Sequence, residues 1–186
     1  MKIIPTSIPD VILIEPKVFE DPRGFFMETF RDDWLAKLGI KHTFIQDNHS
    51  KSSKGVLRGL HFQKPPYEQA KLVRVTQGEV LDVAVDLRRS SATFGKVVAE
   101  ILSDKNKRVM YVPKGFAHGF CVISETCEFL YKVSDYYAPN AEGGIIWNDP
   151  DLGIQWPKLD VPYILSEKDK NYPTFADYRR STTDDR

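Results

Sequence analysis

In Lys71-Leu72-Val73-Arg74-Val75-Thr76-Gln77-Gly78-Glu79-Val80-Leu81-Asp82-Val83-Ala84-Val85, two aliphatic, β-branched runs flank a polar break that contains Gly78. Runs of this length, bounded by a glycine-bearing turn, are strand signals, and the short break between them predicts a hairpin. The same pattern recurs on both sides. Val11 to Ile14 and Phe25 to Phe30 are apolar and aromatic runs parted by the turn Asp21-Pro22-Arg23-Gly24. Lys96 to Ile101, Arg108 to Val112, Gly119 to Ile123 and Glu128 to Val133 follow with short turns between them. This spacing predicts a mainly β protein, an antiparallel sandwich or barrel. Helical signals are few. Asp32 to Leu38 sets Trp34, Leu35 and Leu38 on one face and stops at Gly39, and the C-terminal segment has room for one or two short helices.

The chain has 186 residues, which suits one domain of ordinary size with a core of its own. Without repeat, low-complexity tract or linker, it reads as a single domain over 1–186, with a core from about residue 3 to about residue 172. A polar, charged tail from Arg179 to Arg186 is expected to fray. Lys+Arg and Asp+Glu both number 26, so the formal net charge is zero. That balance speaks against nucleic acid or an anionic membrane as partner, since both select a basic excess. It leaves room for one small anionic ligand. Two cysteines, Cys121 and Cys127, are too few for a secreted disulfide scaffold and are expected to be buried, reduced thiols. No apolar run approaches a membrane span or a signal peptide, so a soluble, cytoplasmic protein is expected.

Chemistry is concentrated at a few places. His61 sits in Val56-Leu57-Arg58-Gly59-Leu60-His61-Phe62-Gln63. Between Leu60 and Phe62 it is either a hydrogen-bonded core residue or a general base, the role its near-neutral intrinsic pKa suits. Arg58 offers a planar donor fork for phosphate or carboxylate. Strict alternation sets Arg58 and His61 on opposite faces, while Gly59 permits a bulge that re-aims one of them. His118 follows Pro113-Lys114-Gly115-Phe116-Ala117, a Pro-x-Gly-x-x-His spacing similar to the second half-motif of the cupins. The first cupin half-motif requires two histidines one residue apart. Here Gln63 stands where the second would be, and with His42, His49, His61 and His118 as the only histidines a three-histidine metal site is hard to assemble.

Six blocks in one order resemble the dTDP-4-dehydrorhamnose 3,5-epimerase family. They are Asp21-Pro22-Arg23-Gly24-Phe25-Phe26, Gln46-Asp47-Asn48-His49-Ser50, Leu57 to Gln63, Pro113 to Phe120, Phe129-Leu130-Tyr131-Lys132 and Ile146-Trp147-Asn148-Asp149. The resemblance runs from about residue 3 to about residue 172. It implies a cupin-type antiparallel jelly-roll barrel, a homodimer, and inversion of the two carbons flanking the 4-keto group of dTDP-4-dehydro-6-deoxyglucose, in dTDP-rhamnose biosynthesis. Such chemistry needs a base at the C–H, a donor that stabilises the enolate oxygen, and an acid on the opposite face of the ring. No cofactor or metal is needed, because the substrate already carries the ketone.

The resemblance implies His61 as base, Tyr131 as acid, Lys71 at the enolate oxygen, and Asp169 as partner of His61. Arg23, Arg58 and Lys168 match positions that contact the nucleotide sugar. Glu28, Gln46, Asp47, Asn48, Lys71, His118 and Glu142 match further substrate-binding positions, with Arg23 and Glu28 supplied by the neighbouring subunit. Several of these have an ordinary competitor. Ser166-x-x-Asp169 fits a helix capping box, Tyr131 alternates like a core aromatic, and Tyr136 and Tyr137 are rival acids, with Tyr137 on the same face by alternation. Lys71 suits a solvated strand end, Gln46-Asp47-Asn48 a polar loop, and Arg23 a turn. Rival functions are a 3- or 5-monoepimerase or ketoisomerase on a related dTDP sugar, a metal-dependent cupin, and a non-catalytic sugar-binding module.

Overall fold

The computed structural model describes residues 1–181. Its elements in chain order are β1 (Lys2–Ile4), β2 (Ile12–Glu15), β3 (Val18–Asp21), β4 (Gly24–Met27), α1 (Asp32–Lys37), β5 (Gln46–Ser53), β6 (Leu57–Gln63), β7 (Lys71–Gln77), β8 (Glu79–Asp86), β9 (Val97–Ser103), β10 (Val109–Val112), β11 (Phe116–Val122), β12 (Thr126–Val133), β13 (Glu142–Gly144) and α2 (Phe175–Ser181). One sheet runs β1-β2-β10-β7-β12-β5, the facing sheet runs β13-β6-β11-β8-β9, and β3 and β4 pair alone. All these strand pairs are antiparallel. This is the cupin-type jelly roll.

Alternation assigns each strand an inner and an outer face. Leu13, Val73, Val75, Val80, Ala84, Met110, Phe120 and Phe129 meet between the two sheets as the central core. The outer face of the first sheet, with Ile14, Leu72, Val109 and Tyr111, is covered by Leu35 of α1 and by Ile40, Phe30 and Phe44. The outer face of the second, with Leu60, Val83, Val85 and Ala117, is covered by Ile145, Leu152 and Phe175. Each fully buried Leu or Val here contributes about 1.5–3 kcal/mol relative to exposure.

The hairpin expected at Thr76–Glu79 does not form. β7 pairs with β10 and β12, whereas β8 pairs with β11 and β9 in the opposite sheet. Gly78 makes the corner with φ +82°; a Cβ there would lie 2.1 Å from the Thr126 carbonyl oxygen. Its N–H donates to Asp104 Oδ2 at 2.7 Å, fixing the turn. A strand that pairs with its neighbour and one that faces it across a core bury the same alternate residues, so local pattern cannot separate the two.

Other expectations shift. The Phe25–Phe30 strand stops at Met27, and Gln46–Ser53 is a strand rather than a loop, paired along its whole length with β12. The core runs past residue 172: Phe175 and Tyr178 of α2 pack on the second sheet. A reciprocal cap starts this helix, Thr174 Oγ1 accepting the Asp177 N–H while Asp177 accepts the Thr174 N–H and hydroxyl. Arg179 to Ser181 therefore form the last helical turn, not a frayed end, and the rest of the expected tail lies outside the described residues. Cys121 and Cys127 are free and buried, as expected, and burial pushes their thiols up to about 11 and about 12. No helix among the described residues is long and apolar enough to cross a membrane.

Candidate active site

At one end of the barrel, polar side chains replace the apolar ones of the core. His61 from β6, Lys71 from β7, His118 from β11 and Tyr131 from β12 line one cavity of about 100 Å³, with Arg58 at its edge. Its floor is aromatic, Phe120 stacking on Phe129 with ring centroids 4.2 Å apart. Arg58 and His61 share this cavity because β6 is irregular. In the register with β11, His61 lies opposite His118 and Arg58 opposite Phe120, so Gly59 and Leu60 together oppose Gly119. The bulge permitted by Gly59 is present. It sends Leu60 into the core outside the second sheet and turns both Arg58 and His61 to the cavity.

His61 Nε2–H donates to Asp169 Oδ1 at 2.5 Å. Asp169 is 3% exposed, and its own N–H donates to Ser166 Oγ at 3.1 Å. Pairing and capping-type contact thus coexist. Burial raises the Asp169 carboxyl, but the hydrogen bonds and charge of His61, with Ser166 and Lys168, outweigh it and hold the group below its ordinary value. With Nε2 committed to Asp169, Nδ1 is the nitrogen left to the cavity. Tyr172 meets the His61 ring edge-on at 5.6 Å and limits its rotation.

Lys71 is not a solvated strand-end lysine. It shares the inner face of β7 with the buried Val73 and Val75, and its ammonium makes no hydrogen bond among the described residues. Burial lowers its pKa to about 8 against the attraction of Asp82 and Glu142. Tyr131 is half-buried, and burial raises its phenol against the charge of Arg58. Tyr136 and Tyr137 are not rivals within the cavity: β12 ends at Val133, so alternation does not extend to them, and both are exposed. Tyr137 Oη instead donates to Glu142 at 2.5 Å. Glu142 also accepts from Tyr172 Oη at 2.9 Å and pairs with Lys168, tying β13 to the loop that carries Asp169.

The remaining expected residues are spread out. Asp47 and Asn48 line a separate cleft of about 230 Å³ that shares only Tyr131 with the first cavity. Gln46 Nε2 donates to Asn48 Oδ1, and Asp47 pairs with Lys132. Arg23 and Glu28 are not brought to the cavity within this chain. They sit on and beside the β3–β4 arm, paired with Asp21 and Arg31. The four cations Arg23, Arg58, Lys71 and Lys168 therefore do not converge in one chain; only Arg58 and Lys71 face the cavity. Gln63, at the cupin ligand position, spends its amide on the Tyr67 and Tyr136 carbonyls and the Ala138 N–H. Among the described residues no group of three His, Cys, Asp or Glu is placed to hold a metal. Asp82 escaped the sequence reading: in an apolar strand it looks like an ordinary break, yet it is fully buried and accepts from His118 Nε2–H at 2.8 Å.

A jelly roll that gathers His61, Lys71, His118 and Tyr131 over an aromatic floor between its sheets belongs with the cupin-type isomerases. Residues 5–177 match the family model described as dTDP-4-dehydrorhamnose 3,5-epimerase. The chain is 57% identical over 178 residues to the dTDP-4-dehydrorhamnose 3,5-epimerase of Pseudomonas aeruginosa, covering 95% of this chain and 97% of that one. The crystal structure of the enzyme of that name from Elizabethkingia anophelis superposes with a TM-score of 0.91 at 51% identity, covering 95% and 97% of the two chains. A dTDP-6-deoxy-D-glucose-3,5-epimerase from Legionella pneumophila, solved in complex with dTDP-4-keto-L-rhamnose, gives 0.90 at 50% identity, covering 93% and 92%. The chain belongs to the dTDP-4-dehydrorhamnose 3,5-epimerase family and is an enzyme of the isomerase class.

Proposed function

We propose that the chain, acting as one domain, epimerises C3 and C5 of dTDP-4-dehydro-6-deoxyglucose, giving dTDP-4-dehydro-rhamnose. The observation that carries this reading is the 2.5 Å His61–Asp169 pair opening onto the same cavity as Lys71 and Tyr131. His61 Nδ1 takes the proton from a carbon next to the ketone, and the C–H electron pair moves into an enolate. Asp169 stabilises the resulting imidazolium. The Lys71 ammonium neutralises the enolate oxygen in a partly buried site, where such an interaction is stronger than in water. The enolate then collapses by taking the Tyr131 hydroxyl proton on the other face, which inverts the carbon. Solvent exchange returns His61 and Tyr131 to their starting states, so the atoms balance over each inversion.

Binding is assigned to Arg58 and His118 at the cavity, to Lys168, which lines a neighbouring cleft with Arg58 and His61, and to Glu142, which pairs with Lys168. Gln46, Asp47 and Asn48 are assigned to the nucleotide. Arg23 and Glu28 act in this reading from the neighbouring subunit of a homodimer, supported by three exposed phenylalanines on the arm, Phe19, Phe25 and Phe26. The reduced thiols favour a cytoplasmic setting.

Incubation of the protein with dTDP-4-dehydro-6-deoxyglucose in D2O, with C3 and C5 followed by NMR, tests the reading. Deuterium enters both carbons, with or without a strong chelator. Incorporation at a single carbon reassigns the enzyme as a monoepimerase. His61→Ala abolishes exchange and keeps nucleotide affinity; exchange at the wild-type rate removes His61 as base.

A further inference from the structure

Asp82 is placed where the fold alone asks for an apolar residue. Its neighbours on the inner face of β8, Val80 and Ala84, belong to the central core, as do Phe120 and Phe129. A carboxylate in such surroundings is destabilising unless it is well paired, and an apolar side chain of similar volume is often as stable or more so. Yet only Oδ1 of Asp82 is bonded, to His118; Oδ2 is buried without a hydrogen-bond partner among the described residues. Burial raises the Asp82 carboxyl against the attraction of His118 and Lys71. His118, itself 6% exposed, makes no hydrogen bond through Nδ1 among the described residues, and it lines the cavity beside Lys71.

We propose that Asp82 is the positioning residue of this cavity: its carboxylate holds the His118 ring with Nδ1 presented to a sugar oxygen, and it supplies the buried counter-charge that keeps Lys71 an ammonium. The proposal deepens the epimerase reading and rests on the role given there to Lys71. The charged and titratable groups around Lys71 are His61 and Arg58 from β6, Asp82 from β8, His118 from β11, Tyr131 from β12 and Glu142 from β13. Two of them are carboxylates. Glu142 is already engaged by Lys168, Tyr137 and Tyr172. Asp82 also attracts Lys71 and, unlike Glu142, keeps one buried oxygen without a hydrogen-bond partner among the described residues. As a carboxylate it accepts the His118 Nε2 proton, which leaves Nδ1 as an acceptor for a ring hydroxyl.

Lysine labelled with 13C at Cε allows Lys71 to be titrated by NMR in the wild type and in Asp82→Asn, its resonance assigned by its loss in Lys71→Met. Asp82→Asn lowers the Lys71 midpoint by about one unit or more. It lowers kcat about tenfold or more and moves the alkaline limb of the pH profile by the same amount, while KM and dTDP affinity stay within about threefold. An unchanged Lys71 midpoint overturns the proposal, as does a loss of activity that follows only a lower Tm. Should Asp82→Asn fail to fold, the 15N spectrum of wild-type His118 decides: protonated Nε2 with bare Nδ1 is expected, and the opposite tautomer overturns it. A wild-type protein without deuterium exchange defeats the epimerase reading, while the Lys71 titration still decides the part assigned to Asp82.

Discussion

Tyr131 and His61 illustrate how neighbours assign a role to a side chain. Tyr131 follows Phe129 on the inner face of β12, so the alternation that would make it a core aromatic is the same one that delivers its hydroxyl to the cavity. What distinguishes the two residues is that Phe129 is fully buried in the core while Tyr131 is only partly so and carries a hydroxyl. If Tyr131 is the acid and His61 the base, Tyr131→Phe separates their steps. Proton wash-out at the abstracted carbon continues, and inversion falls by about 100-fold or more, read as deuterium incorporation against product stereochemistry. Equal loss of both makes Tyr131 a binding residue instead. Lys71 gives a pH prediction whose sign is fixed by the form that works. The ammonium is the stabilising form and burial lowers its pKa to about 8, so kcat holds below that value and declines as pH rises through it. In Lys71→Arg, whose guanidinium stays charged, the limb leaves the measured range even where turnover is lower. A wild-type profile flat from pH 7 to about 9.5 contradicts this role for Lys71.

At the scale of elements, the bulge in β6 decides whether a site exists. Without it, one of Arg58 and His61 would point out of the cavity, because strand side chains alternate with period two. Gly59 makes it possible: its φ is +136°, and a Cβ there would lie 2.6 Å from Gly119 Cα. Two backbones meet too closely for any side chain. Gly59→Ala is therefore expected to cost about 2 kcal/mol or more, measured by denaturant unfolding, and to lower kcat beyond what the lost stability explains, because β6 must shift to relieve the contact. A variant with wild-type stability and turnover shows that the close approach is dispensable. The bulge was legible in the sequence as a possibility, from Gly59 between two functional candidates. The Gly78 corner was not: its signal was that of a hairpin, and the two strands part into different sheets for reasons set by distant partners.

At the scale of the whole molecule, the β3–β4 arm carries three large aromatic side chains exposed among the described residues. Phe25 is 57% exposed and Phe26 66%. Exposed aromatics grouped on one small hairpin mark an interaction surface, and the proposed homodimer gives that surface a partner of the same sequence. Phe26→Asp is expected to shift the protein from dimer to monomer in sedimentation equilibrium and to reduce kcat/KM at least tenfold, since Arg23 and Glu28 would no longer reach a neighbouring cavity. A monomer of full activity rules out shared sites.

The strand-rich class, the burial of the two cysteines and the six family blocks were legible in the linear chain, because they follow from local pattern and residue type. His61, Lys71, Tyr131 and Asp169 were singled out there only through the resemblance those blocks carry. The closed fold alone reveals that β7 and β8 enter opposite sheets, that Asp169 meets His61 from 108 positions away, that Arg23 stands apart from Arg58, and that Asp82 holds His118 behind the cavity wall. Each of these is a relation between strands that are neighbours in space and distant in sequence. Burial, which lowers the pKa of Lys71 and raises that of Asp82, exists only once both sheets have closed over them.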